Sequence, residues 1–583
     1  MTSIPENLTK IVPILVKYLT PLLIWLSSLV YERLIPSNSD HLLVTIDKLV
    51  DFSTLESACA AYHKQNGNGR PIEHAVPNLL RAILVKCLYD LSLRELETKI
   101  QYDIAAKWFV GYPVFANAPD HSTLSRFETY LIFNHPRLFF DTILELIDTA
   151  FPDDRNRPQI GDTFAMHADA ASESLIKRLR HGAQELFLAY READPQAYEK
   201  LHVSIDMDAL FGNGDEKTEC YLSTGQRRER LFHAVAGVLD CLVFIKAAKT
   251  TIAPPVEQWI ARLEKILGDE LRLEWDENGR LTEIGYLPEN KRGTYRICSA
   301  TDPDATIRNH GPKKVDFGYN ISVAATINFI REIQADTGSR PDAAPIPELL
   351  ASQIEHHDVC PDKFIYDQAA GHGKTVNQVD KATDGQTQLV AKPMPSKKKE
   401  GRFSPDDFTL SDDTFSLTCP NGRVSYRKYK SGSADGHNFR FIVPQCQLCP
   451  LLMQCRGSDK QPTTNKSTFI SSYRTEWNLL HEYSQTEEFK LDMSLRPQIE
   501  RIVSGLVQHN GARRARFRGS VKVDFQAKMN AVAYNLKRWV SRLEDKPKKK
   551  RRRFSAPPPR PSTSSLSKRD QSLPKGEVGL LAA

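Results

Sequence analysis

The chain has 583 residues, 40% of them hydrophobic and 26% charged, which is too long for a single hydrophobic core and too ordinary in composition for a disordered, collagenous or membrane-embedded protein. Its net charge of +6 is unevenly spread: residues 546–583 carry eleven Lys and Arg against Asp570 and Glu577, and residues 496–538 carry ten against Glu500 and Asp524. The remainder is acidic, and a basic stripe on an acidic body points to a polyanionic partner at one place.

The apolar stretch Ile11–Tyr31 is interrupted by Lys17, Pro13 and Pro21. This predicts, within residues 1–41, a helix packed on the body rather than a membrane span or a signal peptide. Residues 42–151 are predicted to be all-α, with apolar residues at three- and four-residue spacing through Val76–Asp90 and Pro136–Ala150. Ser92 followed by Glu95 forms a capping box, and Asp120–Phe127 opens another helix. The pair reads either as a DNA-binding helix-turn-helix or as a plain bundle, because the loop between them exceeds the usual short turn. Six isolated cysteines, Cys59, Cys87, Cys220, Cys241, Cys298 and Cys360, read as buried thiols in a reducing cytoplasm.

Beyond a Pro- and Asp-rich boundary the period changes. Gln159–Ala165 reads as a strand and Ala171–Leu201 as helix, followed by a hairpin over Leu271–Leu287 that turns at Asn278-Gly279. Val315–Ile327 alternates as a strand, Ile346–His356 is helical, and Lys363–Asp367 is a short apolar strand ending in an acid. Gln498–Arg542 is helical with breaks at Gly511 and Gly519, and residues 546–583 are predicted to be a disordered basic tail. Mixed α/β architecture follows.

Three acids stand out: Asp162 in a strand, Asp367 at a strand end, and Glu500 on a helix that leads into Arg513, Arg514, Arg516, Arg518 and Lys522. Carboxylates so placed can converge on Mg²⁺ or Mn²⁺ for phosphodiester chemistry, and the arginines suit DNA phosphates. Taken alone, each also has an ordinary reading, as a cap for Asp367 and as a surface ion pair for Glu500. Cys446-x2-Cys449, with Cys455 and Cys419, has the chemistry of a structural Zn²⁺ site, or of four unmetallated thiols. Gly371–Thr375 ends like a phosphate-binding loop, but Gln368 stands where the first glycine belongs, so no nucleotide cofactor is expected.

Over roughly residues 40–540 these segments resemble the bacterial insertion-sequence transposases of the DDE class. The similarity runs in order through LRAILVKCLYDLSLRELETKI, PDHSTLSRFE, GDTFAMHADAAS, TDPDA, GYNISVA, FIYDQAAGHGKT, RPQIERIV, GARRARFRGSVKV and AVAYNLKRW. The resemblance implies a ribonuclease-H-like mixed sheet over residues 155–545, preceded by a helical DNA-binding domain over 42–151. Insertions are expected at about 172–290 and, Cys-rich, at about 400–465. It implies that Asp162, Asp367 and Glu500 hold two Mg²⁺ or Mn²⁺ ions, with Asp169 and Asp302 as alternatives for the first acid and Asp304 as a turn or cap. Arg496 would contact DNA phosphate. The other positions of that arginine's signature fall on Met493 and Val507 instead of Tyr and Lys, so a DNA-binding protein that no longer cuts is the second reading, and a nuclease of the same fold the third. The expected partner is double-stranded DNA held by a homodimer, in a bacterial cytoplasm and nucleoid.

Overall fold

Sequence periodicity places the elements well, and the computed structural model shows how they assemble. It describes residues 21–36, 39–63, 74–212, 216–248, 252–309, 315–396 and 400–544; the predicted tail and the first twenty residues lie outside these.

Helices Leu42–Leu49, Ser53–Ala58, Val76–Leu88, Leu93–Tyr102, Ile104–Val110, His121–Asn134 and Leu138–Ala150 make the N-terminal part wholly α. The capping box is formed: Glu95 N donates to Ser92 Oγ at 3.2 Å and Ser92 N donates to Glu95 Oε2 at 2.7 Å. Asp120 caps the helix that follows it by accepting from Thr123 N at 2.6 Å, and its own carboxyl is held down at about 2 by the bonds from Ser122 and Thr123. The helix Ile104–Val110 stands between the two capped helices, so they do not form a tight helix-turn-helix. Asp120→Ala should lower stability by about 1 kcal/mol, read by urea unfolding at neutral pH. Because the folded pKa is depressed, that contribution is present above the usual carboxyl range and is lost as pH falls toward 2.

The central sheet is mixed. Its strands are β1 (Gln159–His167), β2 (Thr306–Asn309), β3 (Val315–Ala325), β4 (Ile330–Thr337), β5 (Lys363–Ile365) and β6 (Gln388–Val390). β3 runs antiparallel to β1 on one side and pairs with β2 and β4 on the other, while β5 and β6 continue from β1 in parallel. The spatial order β4-β3-β1-β5-β6, with β3 alone reversed against β1, is the ribonuclease-H-like order. β3 buries residues on both faces, from Gly318 to Ala325, as a central strand must.

One buried cluster runs from Leu43 and Phe109 in the N-terminal helices through Ile160 and Ile321 in the sheet to Ile499, Phe525 and Trp539 in the C-terminal helices. Between β1 and β2 the chain builds a separate helical core around Leu179, Val235 and Leu263 and the hairpin Leu271–Trp275 with Leu281–Tyr286, turning at Gly279 with φ +73°. A further small core, with Phe408, Leu417, Phe439 and Phe441, carries the Cys-rich segment.

Two expectations need correction. Residues 21–34 are helical and touch the body through Val114 N donating to Ser27 Oγ at 3.0 Å and Tyr31 OH donating to Tyr112 O at 2.6 Å. Their large apolar side chains, among them Leu22, Ile24 and Trp25, are nevertheless exposed, so the helix is anchored by polar bonds and not by its apolar face. Of the six thiols expected to be buried, Cys59, Cys241 and Cys298 are, Cys87 and Cys360 are half-buried, and Cys220 is exposed in a short turn. Among the described residues no helix is long and apolar enough to cross a membrane.

Candidate active site

β1 and β5 are parallel neighbours with Ile160 opposite Ile365. Asp162 and Asp367 each lie two residues further along. Side chains alternate with period two and adjacent strands stand about 4.8 Å apart, so topology sets these two carboxylates side by side on one face. Glu500 arrives from the helix Pro497–His509, which packs on β1 through buried Ile499, Ile502 and Leu506.

The three acids meet around Arg496, one helical turn before Glu500. Arg496 Nη2 lies 3.4 Å from Asp162 Oδ2 and 3.9 Å from Asp367 Oδ2, and Nη1 lies 3.2 Å from Glu500 Oε1. Side-chain exposure rises from 22% at Asp162 through 39% at Asp367 to 67% at Glu500, so the cluster is rooted in the sheet and open on the helix side. Asp367 also accepts from Ala369 N at 2.9 Å; capping and facing Arg496 are compatible because the carboxylate has two oxygens.

Burial lifts the Asp162 carboxyl above its usual range. The Thr163 N–H and Arg496 oppose that shift, and the charges of Asp367 and Asp342 add to it. Tyr366, buried beside these acids, is pushed well above its ordinary value by burial and then by their charges. A carboxyl whose folded pKa is raised stabilises the fold below its unfolded pKa and loses that contribution as pH rises through the folded value. Without divalent cation, Asp162→Asn should therefore melt above wild type at pH 7, a gap that closes as pH is lowered through the carboxyl range in thermal unfolding.

The alternative first acids are placed elsewhere. Asp169 is half exposed, 3.8 Å from Arg518 Nε. Asp302 is buried and accepts from Tyr319 OH at 2.6 Å and Gly519 N at 3.2 Å. Asp304 accepts from Ser520 N at 2.8 Å and so caps the final helix Ser520–Glu544.

Sequence reasoning missed Asp342 and Arg308. Arg308 Nη2 donates to Thr163 Oγ1 and to Asp342 Oδ1, each at 2.9 Å, which ties a fourth acid to the residue beside Asp162. Asp342 sits in a Pro- and Asp-bearing turn that carries no distinguishing signal. Gly161 is also required: a Cβ there would lie 2.6 Å from Phe364 Cζ and 2.9 Å from Tyr366 Cδ2. Gly161→Ala should cost about 1–3 kcal/mol through overpacking, measured by urea unfolding; unchanged stability would contradict this packing.

The basic segment crosses the far end of β1, where His167 N donates to Arg513 O at 3.1 Å and Ala515 N to His167 O at 2.8 Å. Arg513, Arg514, Arg516 and Arg518 are exposed. Arg516 Nη2 donates to Asp90 Oδ1 at 2.7 Å, Arg518 Nε to Asp169 O at 3.0 Å, and Lys522 Nζ sits 5.9 Å from the Phe133 ring centre. Met493 and Val507 pack on the main core.

Cys419, Cys446, Cys449 and Cys455 line one cavity of about 30 Å³. Burial pushes the Cys455 thiol up; Lys466 opposes the shift, and Cys446 and Cys419 add to it. Among the described residues, no group of three or more His, Cys, Asp or Glu side chains is drawn together tightly enough to hold a metal as it stands. The donor chemistry is nonetheless suitable at both places: hard carboxylate oxygens for Mg²⁺ and four thiols around a small void for Zn²⁺.

A helical N-terminal part leading into a mixed sheet of ribonuclease-H-like order, with acids on adjacent parallel strands, defines the class of DDE recombinase folds. Residues 29–129 match the family described as Transposase domain (DUF772), and residues 418–540 match the Transposase DDE domain. Together these two matches support an insertion-sequence DDE transposase. The second match contains Arg496, Glu500 and the four cysteines, while Asp162 and Asp367 lie between the two matches. No curated protein and no solved structure matches the chain.

Proposed function

We propose that this chain binds the ends of its insertion sequence and moves them by metal-dependent DNA cleavage and strand transfer, with Asp162, Asp367 and Glu500 as the catalytic acids. The observation that carries this reading is the convergence of the three carboxylates on one guanidinium from two parallel strands and a helix. Asp162, Asp367 and Glu500 would hold Mg²⁺ or Mn²⁺, which would supply Lewis acidity for phosphodiester chemistry.

The chain's own groups do the rest. Asp162 and Asp367 are fixed by the sheet, and Glu500 closes the set from the exposed side. Arg496 balances their charge and reaches a phosphate oxygen when DNA enters. In the first step water forms a bond to phosphorus as the P–O3′ bond breaks, leaving a 3′-hydroxyl and a 5′-phosphate. In the second that hydroxyl attacks a target phosphodiester and releases a target 3′-hydroxyl. Arg513 and Arg514, exposed at the end of β1, hold flanking phosphates. Two chains bring two ends together.

Cys419, Cys446, Cys449 and Cys455 would hold a structural Zn²⁺ that fixes the Cys-rich core. Protein purified without chelator should carry about one equivalent of zinc and lose thermal stability on chelation, whereas less than about 0.2 equivalents would remove the site.

A DNA-binding remnant is the second reading, favoured by Met493 and Val507, which pack on the core and offer neither phenol nor ammonium to DNA. The deciding test is labelled DNA bearing the flanking ends of the element, incubated with protein in Mg²⁺ or in EDTA. Metal-dependent nicking at the ends supports the transposase reading; binding without nicking supports the remnant.

A further inference from the structure

A cavity of about 660 Å³ lies where the helical segment between β1 and β2 meets the sheet. Its wall carries five arginines, Arg178, Arg292, Arg296, Arg308 and Arg340, against two acids, Glu270 and Asp342. Arg178 is paired with Glu270, Arg308 with Asp342 and Arg340 with Asp336 and Glu348, so the positive excess that favours an anion is carried by Arg292 and Arg296. Arg308 is 7% exposed at its side chain, and its Nε is buried without a hydrogen-bond partner. A guanidinium N–H left unsatisfied at that depth is a costly arrangement unless something else accepts from it. Tyr295 lines the same cavity, 45% exposed, with φ +54°. A bulky aromatic residue in the left-handed region is strained and such strain concentrates at functional positions.

Arg308 donates to Thr163 Oγ1 on the sheet face opposite Asp162, and Asp342 on the same wall acts on the Asp162 carboxyl through its charge. The cavity's volume has no room for a duplex but holds roughly one or two nucleotides. Cationic walls and an aromatic face together are the usual means of holding single-stranded nucleic acid.

We infer that this cavity seats a short unpaired stretch of DNA leading away from the cleaved phosphodiester, with Tyr295 stacking on a base and Arg292 and Arg296 meeting its phosphates. The inference rests on the DNA-processing function proposed above. It assigns to the segment between β1 and β2 a role in strand handling, separate from the acids that cut.

The test is fluorescence-anisotropy binding of the full chain to a labelled oligothymidylate and to a labelled duplex. Wild type is compared with Tyr295→Ala and with the double variant Arg292→Gln/Arg296→Gln. Single-strand affinity should fall about tenfold or more in each, while duplex affinity stays within about twofold, since duplex contacts lie elsewhere. Unchanged single-strand affinity, or an equal fall for both nucleic acids, overturns the inference. If wild type binds neither, the proposed function itself fails; if it binds duplex and the variants bind single strand like wild type, only the cavity assignment fails. A fold-independent check is photo-crosslinking of wild type to a strand carrying 5-iododeoxyuridine. Attachment at or beside Tyr295 supports the seat, and attachment only elsewhere refutes it.

Discussion

Asp367→Asn and Glu500→Gln should each abolish metal-dependent end cleavage, by about 10³-fold or more, because removing a metal-holding carboxylate forfeits several kcal/mol of transition-state stabilisation. The substitutions are near-isosteric, and their structural cost should be small. At position 367 the amide oxygen can still accept from Ala369 N, the bond that shapes the turn after β5. At position 500 the side chain is two-thirds exposed. Duplex binding should therefore remain within a few-fold of wild type, and gel-shift and nicking assays on the same preparations would separate the two effects. Asp169→Asn supplies the contrast: its carboxylate faces Arg518, away from Arg496, so cleavage should persist. Retained cleavage in Asp367→Asn or Glu500→Gln, or its loss in Asp169→Asn, would mean the acids have been misassigned.

Asp148→Ala should destabilise the chain by about 3–5 kcal/mol, the usual consequence of leaving a buried charge without its partner. Arg331 on β4 is fully buried, and its guanidinium grips Asp148 on the helix Leu138–Ala150 through Nη1 at 2.5 Å and Nη2 at 2.9 Å. Its Nε is buried with no hydrogen-bond partner among the described residues. The pair joins the N-terminal helices to the sheet that carries Asp162, so its loss strikes the seam between helices and sheet. Urea unfolding should show the midpoint falling sharply, and replacing both residues by Leu and Met of similar bulk should recover most of the loss. A midpoint within about 0.5 kcal/mol of wild type for the single variant would show that Arg331 finds another acceptor.

Much of this architecture was readable from the residues. Period-two alternation located β3, the Ser92–Glu95 pair marked a real helix start, and the glycines at 511 and 519 take φ values of +73° and +87° where the C-terminal helices break. These are local signals, set by neighbours in sequence. The acids were legible only as a pattern of types and order; their meeting depends on β1 and β5 being parallel neighbours, a non-local fact. Arg308, Asp342 and Tyr295 were illegible for the same reason. They come from separate stretches of chain, and no periodicity reports which distant segment shares a wall. The exposed apolar helix over residues 21–34 shows the opposite limit, because hydrophobicity says that a face could be covered but not that the described residues cover it.

The most direct measurement of the central claim is strand transfer from a pre-cut end. A duplex whose element end already carries a free 3′-hydroxyl is incubated with the protein, a supercoiled target plasmid and Mg²⁺. Covalent joining of that end to the plasmid by wild type, lost in EDTA and in Asp162→Asn, is the predicted result. A wild-type protein that holds the pre-cut end yet never joins it would contradict the account and leave a DNA-binding remnant in its place.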